Sequence, residues 1–174
     1  MKDSKKVLIL TYYWPPSGGS GVQRWMYFSK YLKKLGWEPV VITVDEKQAS
    51  YSVLDFELLD QVKGIQVIKT DTKEPLKIYS QILTGSSNKG IPQGAISKKG
   101  WFSKIAAFAR GNFFIPDARK GWNTFAKTEA EKLIRKQGIQ KLITTGPPHS
   151  THLIGLQLKA QFGIQWWADF RDPW

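Results

Sequence analysis

Lys5–Glu46 reads KKVLILTYYWPPSGGSGVQRWMYFSKYLKKLGWEPVVITVDE. It opens with an uninterrupted apolar run, Val7 to Leu10, bounded by a turn signal. A short run of that kind is what a strand covered on both faces requires. From Gly21 the pattern changes period. Val22, Trp25, Met26, Phe28, Leu32 and Leu35 recur at mostly helical spacing, with Lys30, Lys33 and Lys34 among them. Gly36 stops this helix, and Val40 to Val44 form a second apolar run. Strand, helix and strand within so short a span predict a βαβ unit with parallel strands and a right-handed crossover.

The same alternation returns later. IQVIKTD reads as a strand, NTFAKTEAEKLIRKQG as an amphipathic helix closed by Gly138, and IQKLITTG as a strand. PPHSTHLIGLQLKAQFG reads as a helix ending at Gly163, and IQWWADF as the last strand. The middle is less regular. SVLDFELLDQV and PLKIYSQIL read as short helices, and WFSKIAAFARGNFF as an aromatic-rich one. Residues 84–100 are polar and rich in Gly and Ser, which predicts a long mobile loop. The expected fold is α/β: a Rossmann-like open parallel sheet with helices on both faces, in a single domain spanning residues 1–174.

Composition narrows the function classes. The 174 residues hold 41% hydrophobic and 23% charged side chains, ordinary for a globular domain. With no cysteine there is neither a disulfide framework nor a thiolate metal site. The N-terminal apolar run is too brief for a signal peptide and is followed by prolines, so a cytoplasmic location is expected. Lys and Arg total 26 against 14 Asp and Glu, a net charge of +12, which favours anionic partners. The positive charge is spread along the chain, so it also reads as an ordinary solubilising surface. The aromatic residues fall mostly at expected core positions and no RNA-binding motif appears, which weighs against nucleic acid.

In open α/β sheets, ligands bind beyond the carboxyl ends of the strands, and three such ends here are chemically unusual. Gly18, Gly19 and Gly21 allow close backbone approach and lead into a helix start, where free N–H groups favour a phosphate. A tight strand-to-helix turn without a ligand explains the same glycines. A dinucleotide fingerprint, with Asp45 as the ribose-binding acid, matches their spacing poorly. In TTGPPHSTHLIG, His149 and His152 stand at i and i+3 at the start of a helix. They share a face that could hold a metal, but no acidic residue lies nearby in sequence; capping or packing is the alternative role. In WADFRDPW, Asp169, Arg171 and Asp172 follow a strand directly, either as a functional cluster or as an ion pair that fixes the loop. Asp117, Arg119 and Lys120 beside Trp122 form a further polar-aromatic patch.

Taken together, KVLILTYYWPPSGGSGVQRW, IPDARKGW, ITTGPPHSTHLIGLQLK and WADFRDPW resemble the N-terminal, acceptor-side domain of family 4 glycosyltransferases. The segments occur in the family's order and span nearly the whole chain. The resemblance implies one half of the two-domain GT-B fold and retaining transfer from a UDP- or GDP-linked sugar, with no required metal or other cofactor. It implies a cell-surface glycan or lipid-linked acceptor; the basic surface fits either an anionic lipid leaflet, with peripheral association at the inner face of the membrane, or a lipid-diphosphate acceptor.

By position, Gly18, Gly19 and Gly21 would face the donor diphosphate. Arg171, Asp172 and His152 would stand at the reacting centre. Tyr12, Trp14, Asp117, His149 and Asp169 would line the substrate side. Relatives often carry a His where Arg171 and Asp172 stand here. The family's second, donor-binding domain has no counterpart in these residues. The implied unit is thus either part of a longer enzyme or a short chain completed by a partner. A non-enzymatic Rossmann-like binding module or partner subunit is the competing expectation.

Overall fold

The computed structural model describes residues 5–73 and 116–171. The expected mobile loop at 84–100, the helices read on either side of it, and Asp172 lie outside the described residues. Among those described, the order is β1 (Lys6–Leu10), α1 (Ser20–Lys34), β2 (Glu38–Val44), α2 (Leu58–Gln61) and β3 (Gln66–Thr70). After a 3-10 turn (Lys120–Trp122) come α3 (Asn123–Gln137), β4 (Lys141–Gly146), α4 (Thr151–Phe162) and β5 (Gln165–Phe170). Helices α3 and α4 both end at a glycine in the left-handed region, Gly138 and Gly163, as their sequence predicts.

The five strands form one sheet in the order β3-β2-β1-β4-β5, every pair parallel. This is the expected α/β Rossmann-like architecture. Strand β1 lies at its centre, with Leu8 paired to Val40 on one side and to Leu142 on the other. Successive side chains in a strand point to opposite faces, and the core divides accordingly. Leu8, Leu10, Val40, Ile42 and Leu142 pack against Ala126, Ala130, Leu133 and Ile134 of α3 and Ile154 and Leu158 of α4. Val7, Ile9 and Val41 pack against Trp25 and Met26 of α1 on the opposite face. Helices therefore cover both faces, which is why these strands are apolar throughout rather than alternating.

Two parts of the helical and strand readings come out differently. Phe28 and Leu35, read as part of the apolar face of α1, are 47% and 72% exposed. The inward surface of α1 is formed by Val22, Trp25, Met26 and Ser29, with Leu32 packed beside them, and Phe28 and Leu35 fall outside that arc. Strand β5 is an edge strand: Trp166 packs against the α3–α4 core, while Trp167 and Phe170 are exposed.

Trp166 approaches α4 closely because residue 155 has no side chain. A Cβ at Gly155 would collide with the indole Nε1 and Cε2. Ala in place of a helical Gly gains up to about 1 kcal/mol of propensity, whereas overpacking costs about 1–3 kcal/mol. Gly155→Ala is therefore predicted to destabilise the protein despite its better helix propensity, seen as a lower urea midpoint at unchanged m-value.

Candidate functional site at the sheet reversal

From β1 the chain winds outward through β2 and β3, and later returns to the other side of β1 through β4 and β5. The segments leaving β1 and β4 consequently part toward opposite faces, opening a crevice at the carboxyl ends of the two strands. Both segments carry the proline-glycine motifs singled out in the sequence.

The segment after β1 is held from below. Ser17 and Leu54 form an antiparallel bridge, Gly18 N–H donates to Val53 O at 2.9 Å, and Asp55 N–H donates to Pro16 O at 2.7 Å. The Gly18 N–H is thus engaged with the protein itself. Gly19, at φ 95°, precedes α1, which starts without a side-chain cap and with no acidic residue in its first turn. Gly21 leaves space for Arg171: a Cβ there would stand 3.2 Å from a guanidinium nitrogen.

Arg171 joins the two sides of the crevice. Its Nε donates to Gly146 O at 3.0 Å, at the end of β4, and its Nη1 donates to Gly21 O at 2.9 Å, at the start of α1. Asp169 lies beside this junction but does not use Arg171 as its cation. Trp25 Nε1 donates to it at 2.7 Å, Thr145 Oγ1 donates to it at 3.1 Å, and Arg24 stands 3.5 Å away. Strand alternation sends Asp169 toward α1 and Phe170 toward α4. That Arg24, Trp25 and Thr145 partner Asp169 is not legible in the sequence, because only the parallel pairing of β4 with β5 and the seating of α1 bring them together.

On the α4 side, the His152 ring lies 4.0 Å from the Phe170 ring, centroid to centroid, and the His149 ring is stacked on Phe170 at 6.0 Å. Among the described residues, no group of three or more His, Asp or Glu side chains is placed to hold a metal. His152 is buried, at 6% exposure, and its Nδ1 is 2.8 Å from Thr144 Oγ1. Trp166 Nε1 donates to the same hydroxyl at 2.9 Å. An indole N–H can only donate, so the Thr144 hydroxyl accepts from Trp166 and keeps both a hydrogen and a second lone pair for His152 Nδ1. Nε2 is buried without a hydrogen-bond partner and stands 2.9 Å from the position a Cβ on Gly146 would take. Burial, reinforced by His149 and opposed by Asp169, holds the His152 pKa below its ordinary 6.5.

The remaining expected site residues have other surroundings. Asp117 caps the start of α4: it accepts from Ser150 N–H at 2.7 Å, Ser150 Oγ at 3.0 Å and Arg119 N–H at 2.9 Å. Tyr12 and Trp14, expected to face an acceptor, are 0% and 1% exposed. This corrects that expectation: Tyr12 follows Leu8 and Leu10 onto one face of the sheet, and the bend at Tyr12 then turns Trp14 to the other. Tyr12 enters the α3 side, edge-on to Tyr51 and Trp122, and Trp14 enters the α1 side. Asp45, weighed as a ribose-binding acid, caps its own turn by accepting from Lys47 N–H at 2.9 Å.

No protein-family model matches the chain, and no curated protein matches it.

Two measurements follow from this geometry. Because the His152 pKa is lowered on folding, the unfolded chain binds more protons than the native one just below pH 6.5. The contribution of His152 is complete above that pH and is lost as the pH falls. The urea midpoint should drop between about pH 7.5 and about pH 5.5, and His152→Asn should flatten that dependence. For Asp169, a double-mutant cycle of Trp25→Phe with Asp169→Asn should give a coupling of about 1 kcal/mol or more, as expected of a hydrogen bond to a charged group.

Proposed function

We propose that this chain is the acceptor-side half of a retaining glycosyltransferase, moving a sugar from a UDP- or GDP-linked donor to a cell-surface glycan or lipid-linked acceptor. The observation that carries this reading is the Arg171 junction, which ties the glycine segment before α1 to the end of β4 at the sheet reversal. In such a transfer the bond from the anomeric carbon to the diphosphate breaks, and a new bond forms to the acceptor oxygen. Negative charge then grows on the leaving diphosphate. The start of α1, which has no side-chain cap and no acidic residue in its first turn, and the Arg171 guanidinium beside it are suited to that charge. Neutral His152 and the exposed Phe170 ring beside it suit the hydroxyls and the apolar face of a sugar.

Positioning donor and acceptor in a cleft needs two walls, and this domain supplies one. A second, donor-binding domain is part of the proposal. The 174-residue chain by itself should transfer little or no sugar, and vigorous transfer by the purified chain would overturn the two-wall scheme. The site is tested by titrating the 15N-labelled chain with UDP-glucose, UDP-N-acetylglucosamine and GDP-mannose. Backbone shifts should move at residues 17–22, 146–152 and 169–171, and Arg171→Ala should weaken the response. A chain that binds none of these donors but captures a partner protein would favour the non-enzymatic binding module.

A further inference from the structure

The two edges of the sheet are built differently. Strand β3 is guarded: it is five residues long, carries Lys69 and shows no exposed large apolar side chain. A charged side chain on an edge discourages the addition of a further strand. Strand β5 has no such guard. Gln165–Phe170 contains no Lys, Arg or Pro, and its one charged group, Asp169, is held by Trp25, Thr145 and Arg24. Among the described residues, its outer edge pairs with no other strand. Apolar side chains stand exposed on both faces of this edge. Trp167, 51% exposed, is on the α1 side, and Ala168 is exposed on the α4 side, with Phe170 following at the crevice. Apolar residues on both faces are the pattern of a strand inside a sheet, not of one at its border.

We propose that β5 is the docking edge for a second copy of this chain: two β5 strands pair antiparallel about a two-fold axis at Trp167, joining two five-stranded sheets into one. Charge selects this occupant. Each chain carries +12, so two copies repel wherever basic residues line the contact. Helix α1 alone holds four basic residues and no acid. Residues 151–170, which include α4 and β5, hold only Lys159 and Asp169 as charged groups. A charged partner would find on this edge only Asp169, already engaged. The register follows from strand geometry. Opposed residues of an antiparallel pair share a face, and a two-fold axis perpendicular to the sheet leaves each face with its own kind, so one residue of β5 must oppose its own copy. With Trp167 there, the two indoles meet, Trp166 opposes the partner's Ala168, and Gln165 opposes the partner's Asp169. With Ala168 there, Trp167 would oppose the partner's Asp169, an apolar ring against a charge. The contact is isologous and closes at two copies. Because the strands run oppositely, the two crevices lie at opposite ends of the joined sheet, and Phe170 remains beyond the paired stretch. The inference stands on β5 and does not require the transferase reading.

Sedimentation of the purified chain at about 10 to about 100 µM should show a dimer. It should tighten as salt rises from about 0.1 to about 0.5 M, because screening removes repulsion between the two basic chains. Trp167→Lys sets two cations against each other on the axis and should weaken the dimer by at least about 30-fold. The chain has no cysteine, so single introduced thiols report the register. Residues directly opposed on antiparallel strands have Cα atoms about 4.5–5.5 Å apart, within the reach of a disulfide. Under mild copper–phenanthroline oxidation, Trp167→Cys should cross-link to its own copy, and Gln66→Cys, exposed on the opposite edge strand β3, should not. If Trp167→Lys fails to fold, as judged by circular dichroism, sedimentation of the unaltered chain and the two thiols still decide the matter. A chain that stays monomeric over this range, as one whose β5 edge is covered by a further segment would, overturns the proposal. So does a dimer that salt dissociates, that persists in folded Trp167→Lys, or that forms in Trp167→Cys without cross-linking.

Discussion

Strand β1 has no face open to water. Leu8, Ile9 and Leu10 are each 0% exposed, and the strand is paired on both edges. A strand so placed needs a helical layer on each side, because apolar residues alternate onto both faces. The other elements answer that requirement: α1 covers Val7 and Ile9, and α3 and α4 cover Leu8 and Leu10. Burial of a Leu or Ile side chain stabilises by about 1.5–3 kcal/mol, so this strand anchors both halves of the core.

The crevice is a consequence of the same constraint. The layers on opposite faces are reached by segments that leave β1 and β4 in opposite directions, and the polar groups of those segments need partners. Arg171 supplies two of them through the carbonyls of Gly146 and Gly21. Asp169 collects Trp25 and Thr145, and Asp117 satisfies the start of α4. These links stabilise chiefly because leaving a buried polar group without its partner costs about 1–3 kcal/mol. They also hold His152, Phe170 and Arg171 in fixed relation at one end of the sheet, as a binding surface requires.

The fold was legible in the sequence where hydrophobic period and chain punctuation coincide. The run Val7–Leu10, the change of period at Gly21, and the stops at Gly138 and Gly163 located elements to within a few residues. The candidate site was legible by type and place: glycines, histidines and a charged cluster at three strand ends. Tyr12 and Trp14 were misjudged because an aromatic residue just past a strand looks the same in sequence whether it turns inward or outward. Phe28 and Leu35 were misjudged for the converse reason, since helical spacing locates apolar residues but not the arc of the helix that meets the sheet.

The sequence by itself determined the class of fold, the parallel alternation and the segments that meet at the sheet reversal, because these depend on periodicity and on local backbone chemistry. Only the tertiary structure decided the partners. Arg24 and Trp25 reach Asp169 across 145 and 144 positions of chain, and Trp166 and Thr144 together orient His152. The physical reason is that such contacts are set by strand order, register and helix seating, each a property of the assembled sheet. The outward placement of Phe28 and Leu35 belongs with them: both residues were plain in the sequence, but that they face outward was decided by how α1 seats on the sheet.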